Sequence, residues 1–120
     1  MPRKSARAFL REALRAHRLE ELTRQVGERV ALTGRVVAAT TVRGKTVVSL
    51  FEKWPEPGCV SLWFVKSPAE GGLPEDPAAW VGRVVRVEGR LEAGSWEGTF
   101  WIAVENRGQI EFLSEAAVAD

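Results

Sequence analysis

Residues 5–26 are dense in Ala, Leu, Arg and Glu with no proline after Pro2, and predict helix. Their apolar positions do not form one stripe. Phe9, Leu10, Ala13 and Leu14 share a face, while Leu19, Leu22 and Val26 share another. At about 100° per residue the two faces lie roughly opposite. Either two short helices meet near His17 and Arg18, or one helix is contacted on both sides. Gly27 stands where a glycine would end the helical segment.

From residue 29 the period changes to two. Arg29–Val42 predicts a long strand with Gly34 in its interior, a place for a bend or bulge. Arg43, Gly44 and Lys45 form a tight turn into a second strand, residues 46–51, rich in β-branched and aromatic side chains. Residues 54–58 are a rigid turn and residues 60–65 a third strand. Residues 66–75 contain two prolines and two glycines and are expected to be loop. Asp76, as N-cap, and Pro77, at the first helical position, start a short helix that runs to Trp80 and stops near Gly82. Residues 84–91 make a fourth strand, with Arg86, Glu88 and Arg90 alternating against Val85, Val87 and Leu91. A loop over residues 93–99 carries Trp96, and residues 100–104 are the fifth strand. Residues 109–113 either extend that strand or follow a turn at Asn106, Arg107 and Gly108. Residues 114–120 have no clear partner.

This pattern gives one domain over residues 28–113, preceded by a helical arm over 1–27 and followed by a tail over 114–120. The length of 120 residues suits that plan, and 45% apolar with 28% charged side chains argues against disorder. The lone Cys59 and the lone His17 exclude a disulfide framework and a Cys/His zinc site within one chain. No apolar run approaches the ~18 residues of a membrane span, and no signal-peptide pattern opens the chain. A soluble, cytoplasmic domain without cofactor is the expectation. The net charge of +1 hides an asymmetry: residues 1–27 hold seven basic against three acidic side chains, a net of +4, which leaves −3 on the rest. A basic arm on a near-neutral body suits phosphate or an acidic partner; equally, arginine solvates the outer face of a helix. The arm also shares the Arg-rich, acid-poor look of a transit peptide. The preference for arginine over lysine and the lack of tyrosine reflect coding bias rather than function.

Strand, strand, strand, short helix, strand, strand is an order that resembles the OB-fold, a five-stranded Greek-key barrel. Residues 26–36, with Gly27, Val30, Leu32, Gly34 and Val36, look like the first strand of such proteins. Residues 81–91, with Gly82, Val85, Val87, Gly89 and Leu91, look like their fourth. Gln109, Ile110 and Glu111 are similar to the close of the fifth strand in bacterial and archaeal anticodon-binding-like and single-strand-binding OB domains. The resemblance covers about 85 residues, excludes the arm, and bears on fold more than on activity.

It implies a binder of single-stranded DNA or RNA, which needs cations for phosphates and flat side chains for bases. With Val48 and Leu50 inward on the second strand and Val60, Leu62 and Phe64 inward on the third, Phe51 and Trp63 face outward. A bulge would reverse that assignment. Arg43 and Lys45 lie in the first turn and Trp96 in the loop before the fifth strand, and these flank the binding surface of the fold. Arg35, Arg86 and Arg90 are expected to face outward as phosphate contacts. Trp80 is expected to plug the barrel, Trp101 can take either face, and Trp54 either caps its loop or touches ligand.

Enzyme readings fail on mechanics. Gly44, Lys45 and Thr46 imitate the end of a phosphate loop, but Ala39 stands where its first glycine is needed and no helix follows. Cys59 has no histidine nearby, and Glu52, Glu56 and Glu70 are scattered in loops as solvated charges. The reading is a bacterial-type OB-fold protein that binds single-stranded nucleic acid through Arg35, Arg43, Lys45, Phe51, Trp63, Arg86, Arg90 and Trp96. The alternative is an OB-fold adaptor or oligomeric subunit that uses residues 5–26 to hold a protein partner.

Overall fold

The computed structural model describes residues 6–65 and 76–113. The expected loop over 66–75 and tail over 114–120 therefore lie outside the described residues. The helical segment is one helix, α1 (Ala6–Gln25), about 30 Å long at 1.5 Å per residue. Its two apolar faces meet different fates. Leu22, only 3% exposed, belongs to the hydrophobic core, and Leu19 packs against that core. Leu10 and Leu14 stay 59% and 56% exposed. Burying a leucine stabilises by roughly 1.5–3 kcal/mol, so Leu22 helps to seat the C-terminal half of α1 on the sheet.

Among the described residues seven strands follow: β1 (Arg29–Val42), β2 (Lys45–Leu50), β3 (Val60–Phe64), β4 (Val84–Arg90), β5 (Glu92–Ala93), β6 (Phe100–Val104) and β7 (Ile110–Leu113). They form one mixed sheet in the order β5-β6-β3-β2-β1-β4-β7, antiparallel except where β3 runs parallel to β6. The count of five strands expected from the sequence is corrected to seven, for two physical reasons. First, the fourth strand changes partner at Leu91. Residues 84–90 are within the run that pairs β1, while Glu92 and Ala93 pair β6. One continuous stretch thus joins both ends of the β6-β3-β2-β1 ladder, and the sheet curls closed. Second, residues 110–113 do not extend β6 but follow a 3-10 turn (Arg107–Gln109) and pair with β4. Gln109 fixes that turn. Its Oε1 accepts from the Glu105 N–H at 2.6 Å and the Asn106 N–H at 3.2 Å, while Nε2 donates to the carbonyls of Glu88 at 2.9 Å and Ala103 at 3.0 Å.

The predicted short helix is a single 3-10 turn (Pro77–Trp80). Asp76 occupies its N-cap position with no side-chain cap hydrogen bond. Trp80 is buried and meets Phe64 and Phe112 edge-on, with ring centroids 5.5 and 4.6 Å away. Alternation sets the core: Val48, Leu50, Val60, Leu62, Phe64, Val85, Val87, Leu91, Ile102 and Val104 all point inward and are buried. Β-strand register slips once, in β1 between Val36 and Ala38. Gly34 serves a close approach, since a Cβ there would lie 2.8 Å from the Phe51 ring. No helix among the described residues is long and apolar enough to cross a membrane.

Candidate nucleic-acid interface

The hairpin turn between β1 and β2 is two residues long, Arg43 at φ 52° and Gly44 at φ 78°, a pairing whose twist matches that of the strands. Beside it, Lys45 starts β2, and its Nζ donates to the Val65 carbonyl at 3.3 Å. That contact places an ammonium at the end of β3. In β3 the alternation sends Ser61 and Trp63 outward, and the parallel register sets Ser61 beside Trp101 and Trp63 beside Ala103 on β6. Phe100, Ile102 and Val104 are buried, so Trp101 takes the outer face. Its indole Nε1 donates to the Ala93 carbonyl at 3.2 Å, which fixes the plane of the ring against β5.

Together these make a groove of about 430 Å³ over the outer face of β3 and β6. Trp54, Trp63 and Trp101 supply its indoles, Lys45 its charge, and Ser95 and Thr99 its far wall. Among the described lining residues Lys45 is the only charged one. Trp54 is 44% exposed and Trp96, in the wall loop, 57% exposed. The wall loop is braced by Thr99, whose N–H and hydroxyl both donate to the Trp96 carbonyl, at 3.1 and 2.6 Å.

Of the residues expected at the site, Lys45 and Trp63 line this groove, Arg43 sits in the adjoining turn, and Trp96 stands in the loop that walls it. The other four stand elsewhere. Phe51 is corrected most sharply. The strand ends at Leu50, Phe51 turns to φ 71°, and its ring lies on Gly34 beneath the Arg18 guanidinium, 4.5 Å from its centroid. It is therefore no open platform. Arg86 and Arg90 lie on β4, paired at 2.8 Å with Glu88 and with Glu92 respectively. Arg35 donates to the Gly82 carbonyl at 2.6 Å.

Trp101 and Trp54 were left open by the sequence. The signal for Trp101 was present: Phe100, Ile102 and Val104 form an inward set at period two, which sends 101 outward. No comparable signal exists for Trp54, which lies in a turn. A second groove on the far side of Trp101 is lined by Arg29 and Arg90 but also by Glu88, Glu92 and Glu105, a balance that offers little to an anion.

Cys59 is fully buried, with Sγ 3.4 Å from the Ser61 hydroxyl. Burial pushes its thiol up, hydrogen bonds from Ser61 and Ser49 only partly opposing this, so it stays protonated and poorly nucleophilic at neutral pH. His17 is exposed on α1. Among the described residues no group of three or more His, Cys, Asp or Glu side chains is arranged to hold a metal.

No protein-family model matches the chain, and no curated protein matches it. Among solved structures it is similar to a chain in the crystal structure of the S. pombe Stn1-ten1 complex, with 16% identity and a TM-score of 0.45. That match covers 75% of this chain and 61% of the other, so this chain spans less than two thirds of its length.

Proposed function

We propose that this protein is an OB-type barrel that binds single-stranded nucleic acid in the groove over β3 and β6, as a binding module and not as an enzyme. On this reading β4 and β5 are one strand, β7 is an addition, and residues 28–113 are the domain on which α1 is docked. The observation that carries it is the groove itself, where Trp54, Trp63 and Trp101 share the lining with one ammonium, that of Lys45. A single strand offers unstacked bases to such rings, and each stacked base is worth about 1–3 kcal/mol. A duplex keeps its bases stacked on one another and has little to offer the same surface. Arg43 and Trp96, on the flanking turn and loop, extend the track on either side.

The test is a titration of a single strand of about 20 nucleotides against tryptophan fluorescence, at low and moderate salt, with duplex as control. Quenching by the single strand and not by duplex supports the reading. No quenching, and no retention at low salt, overturns it.

A second reading, a protein adaptor, is favoured by one observation: Leu10 and Leu14 remain exposed on the half of α1 that does not enter the core. Sedimentation of the intact chain against a Leu10→Ser, Leu14→Ser variant decides it for self-association. A fall in mass supports an interface on α1, and an unchanged monomer removes it.

A further inference from the structure

We infer that α1 positions the groove: through Leu19, Arg15 and Arg18 it fixes the two loops whose tryptophans rim the site. The affinity part of this inference rests on the nucleic-acid reading above; the positioning part does not.

The two loops are residues 51–59, between β2 and β3, and residues 94–99, between β5 and β6. They are bonded to each other where the Gly58 N–H donates to the Gly98 carbonyl at 2.7 Å. Both glycines lie under α1. At Gly98, which has φ +77°, a Cβ would stand 2.9 Å from the Pro57 Cβ and 3.5 Å from the Leu19 Cδ1. Helix, first loop and second loop therefore converge on one bare backbone position. At Gly58 a Cβ would lie 3.5 Å from Arg15 Cγ, 3.6 Å from Glu52 Cγ and 3.7 Å from Arg18 Nη1.

The seam has an ionic end as well as an apolar one. Oε1 of Glu52, in the first loop, lies 3.2 Å from Arg15 Nε and 3.9 Å from Arg18 Nη1. Arg18 also covers Phe51, the residue at which the chain leaves β2. Trp54 is three positions before Pro57, and Trp96 two before Gly98. Within the loops, the backbone bonds from Glu56 to Lys53 and from Thr99 to Trp96 are local turns. Among the described residues, the bond between them and the helix above it tie their tips to the rest of the fold.

A loop held in its bound form before ligand arrives loses less freedom on binding. Leu19 and Glu52 are not among the described residues that line the groove, so on this inference they act on it through the loops that carry Trp54 and Trp96. The experiment compares the intact chain with Leu19→Ala and Glu52→Gln, each with and without Trp54→Ala, after labelling with 5-fluorotryptophan. Fluorine NMR without ligand should show the Trp54 and Trp96 resonances moving in both variants while that of Trp80, packed on Phe64 and Phe112, stays. Affinity for the single strand should fall about five-fold with Leu19→Ala and less with Glu52→Gln, and both costs should shrink once Trp54 is gone, leaving only the part that runs through Trp96. A general loss of stability would weaken binding equally with and without Trp54. That equality, or unmoved Trp54 and Trp96 resonances in both variants, overturns the inference. If the intact chain binds no strand, the nucleic-acid reading falls and the resonances alone decide this one.

Discussion

The outer faces of β3–β6 and of β4 carry different side-chain chemistry. Over β3 and β6 lie three indoles and one ammonium, with no carboxylate among the described lining residues. Along β4, Arg86 and Arg90 each sit 2.8 Å from a glutamate two residues on. Exposed pairs of this kind add little to stability, about 0–1 kcal/mol, yet each glutamate offsets the field its arginine would present to a phosphate. One face therefore offers stacking with little charge. The other offers charges that cancel. A cation beside a carboxylate presents a weaker field to a phosphate, and a count of cations in the sequence does not show which of them have such a neighbour.

The largest test of this contrast is on the indoles. Trp63→Ala should weaken single-strand binding about ten-fold or more, by the worth of one stacked base, whereas Arg86→Ala should change it less than two-fold. Isothermal titration of both variants checks this, and equal losses would erase the distinction between the faces. The second test converts one face towards the other. Glu88→Gln frees Arg86, and the expected result is a rise in affinity of about two- to three-fold with a steeper dependence on salt. No change in the salt slope would mean that β4 lies away from the strand altogether. The smallest effect concerns the slope itself. With Lys45 the lone charge among the described groove residues, log affinity against log salt should fall with a slope of about −0.7 to −1.4, and Lys45→Gln should flatten it by about 0.7. A slope several times steeper would require cations outside this groove.

Much of the fold was legible because period-two alternation survives in 29–36, 60–64, 84–90 and 100–104, and a buried face pins such register. The inward assignments of Val48, Leu50, Val60 and Leu62 follow from it. What escaped were changes of partner, which alternation does not encode. Nothing in the residues around Leu91 says that β4 hands over to a different neighbour there, and nothing local says that Ile110–Leu113 returns to β4. Phe51 misled for a related reason. The sequence continues its β-type pattern through residue 51, but a ring that covers Gly34 is placed by packing from β1 and by Arg18 from α1. The candidate site was half legible. Lys45 and Trp63 came from alternation and turn position, and Trp101 was available from the same rule. The pairing of Arg86 and Arg90 was also readable, since Glu88 and Glu92 follow at intervals of two on the same face.

The parallel register between β3 and β6 bears on how the molecule assembles. The β1–β2 hairpin closes through a two-residue turn, an event of microseconds. Val60 and Phe100, by contrast, are partners across forty intervening steps of chain, and their pairing must wait until that length has been drawn in. Trp63 and Trp101 thus meet only once a long-range contact has formed, as β1 and β4 must also do across a still longer stretch of chain. Until that length of chain is drawn in, the two indoles stand apart, and no locally folded fragment of the barrel carries the groove they line.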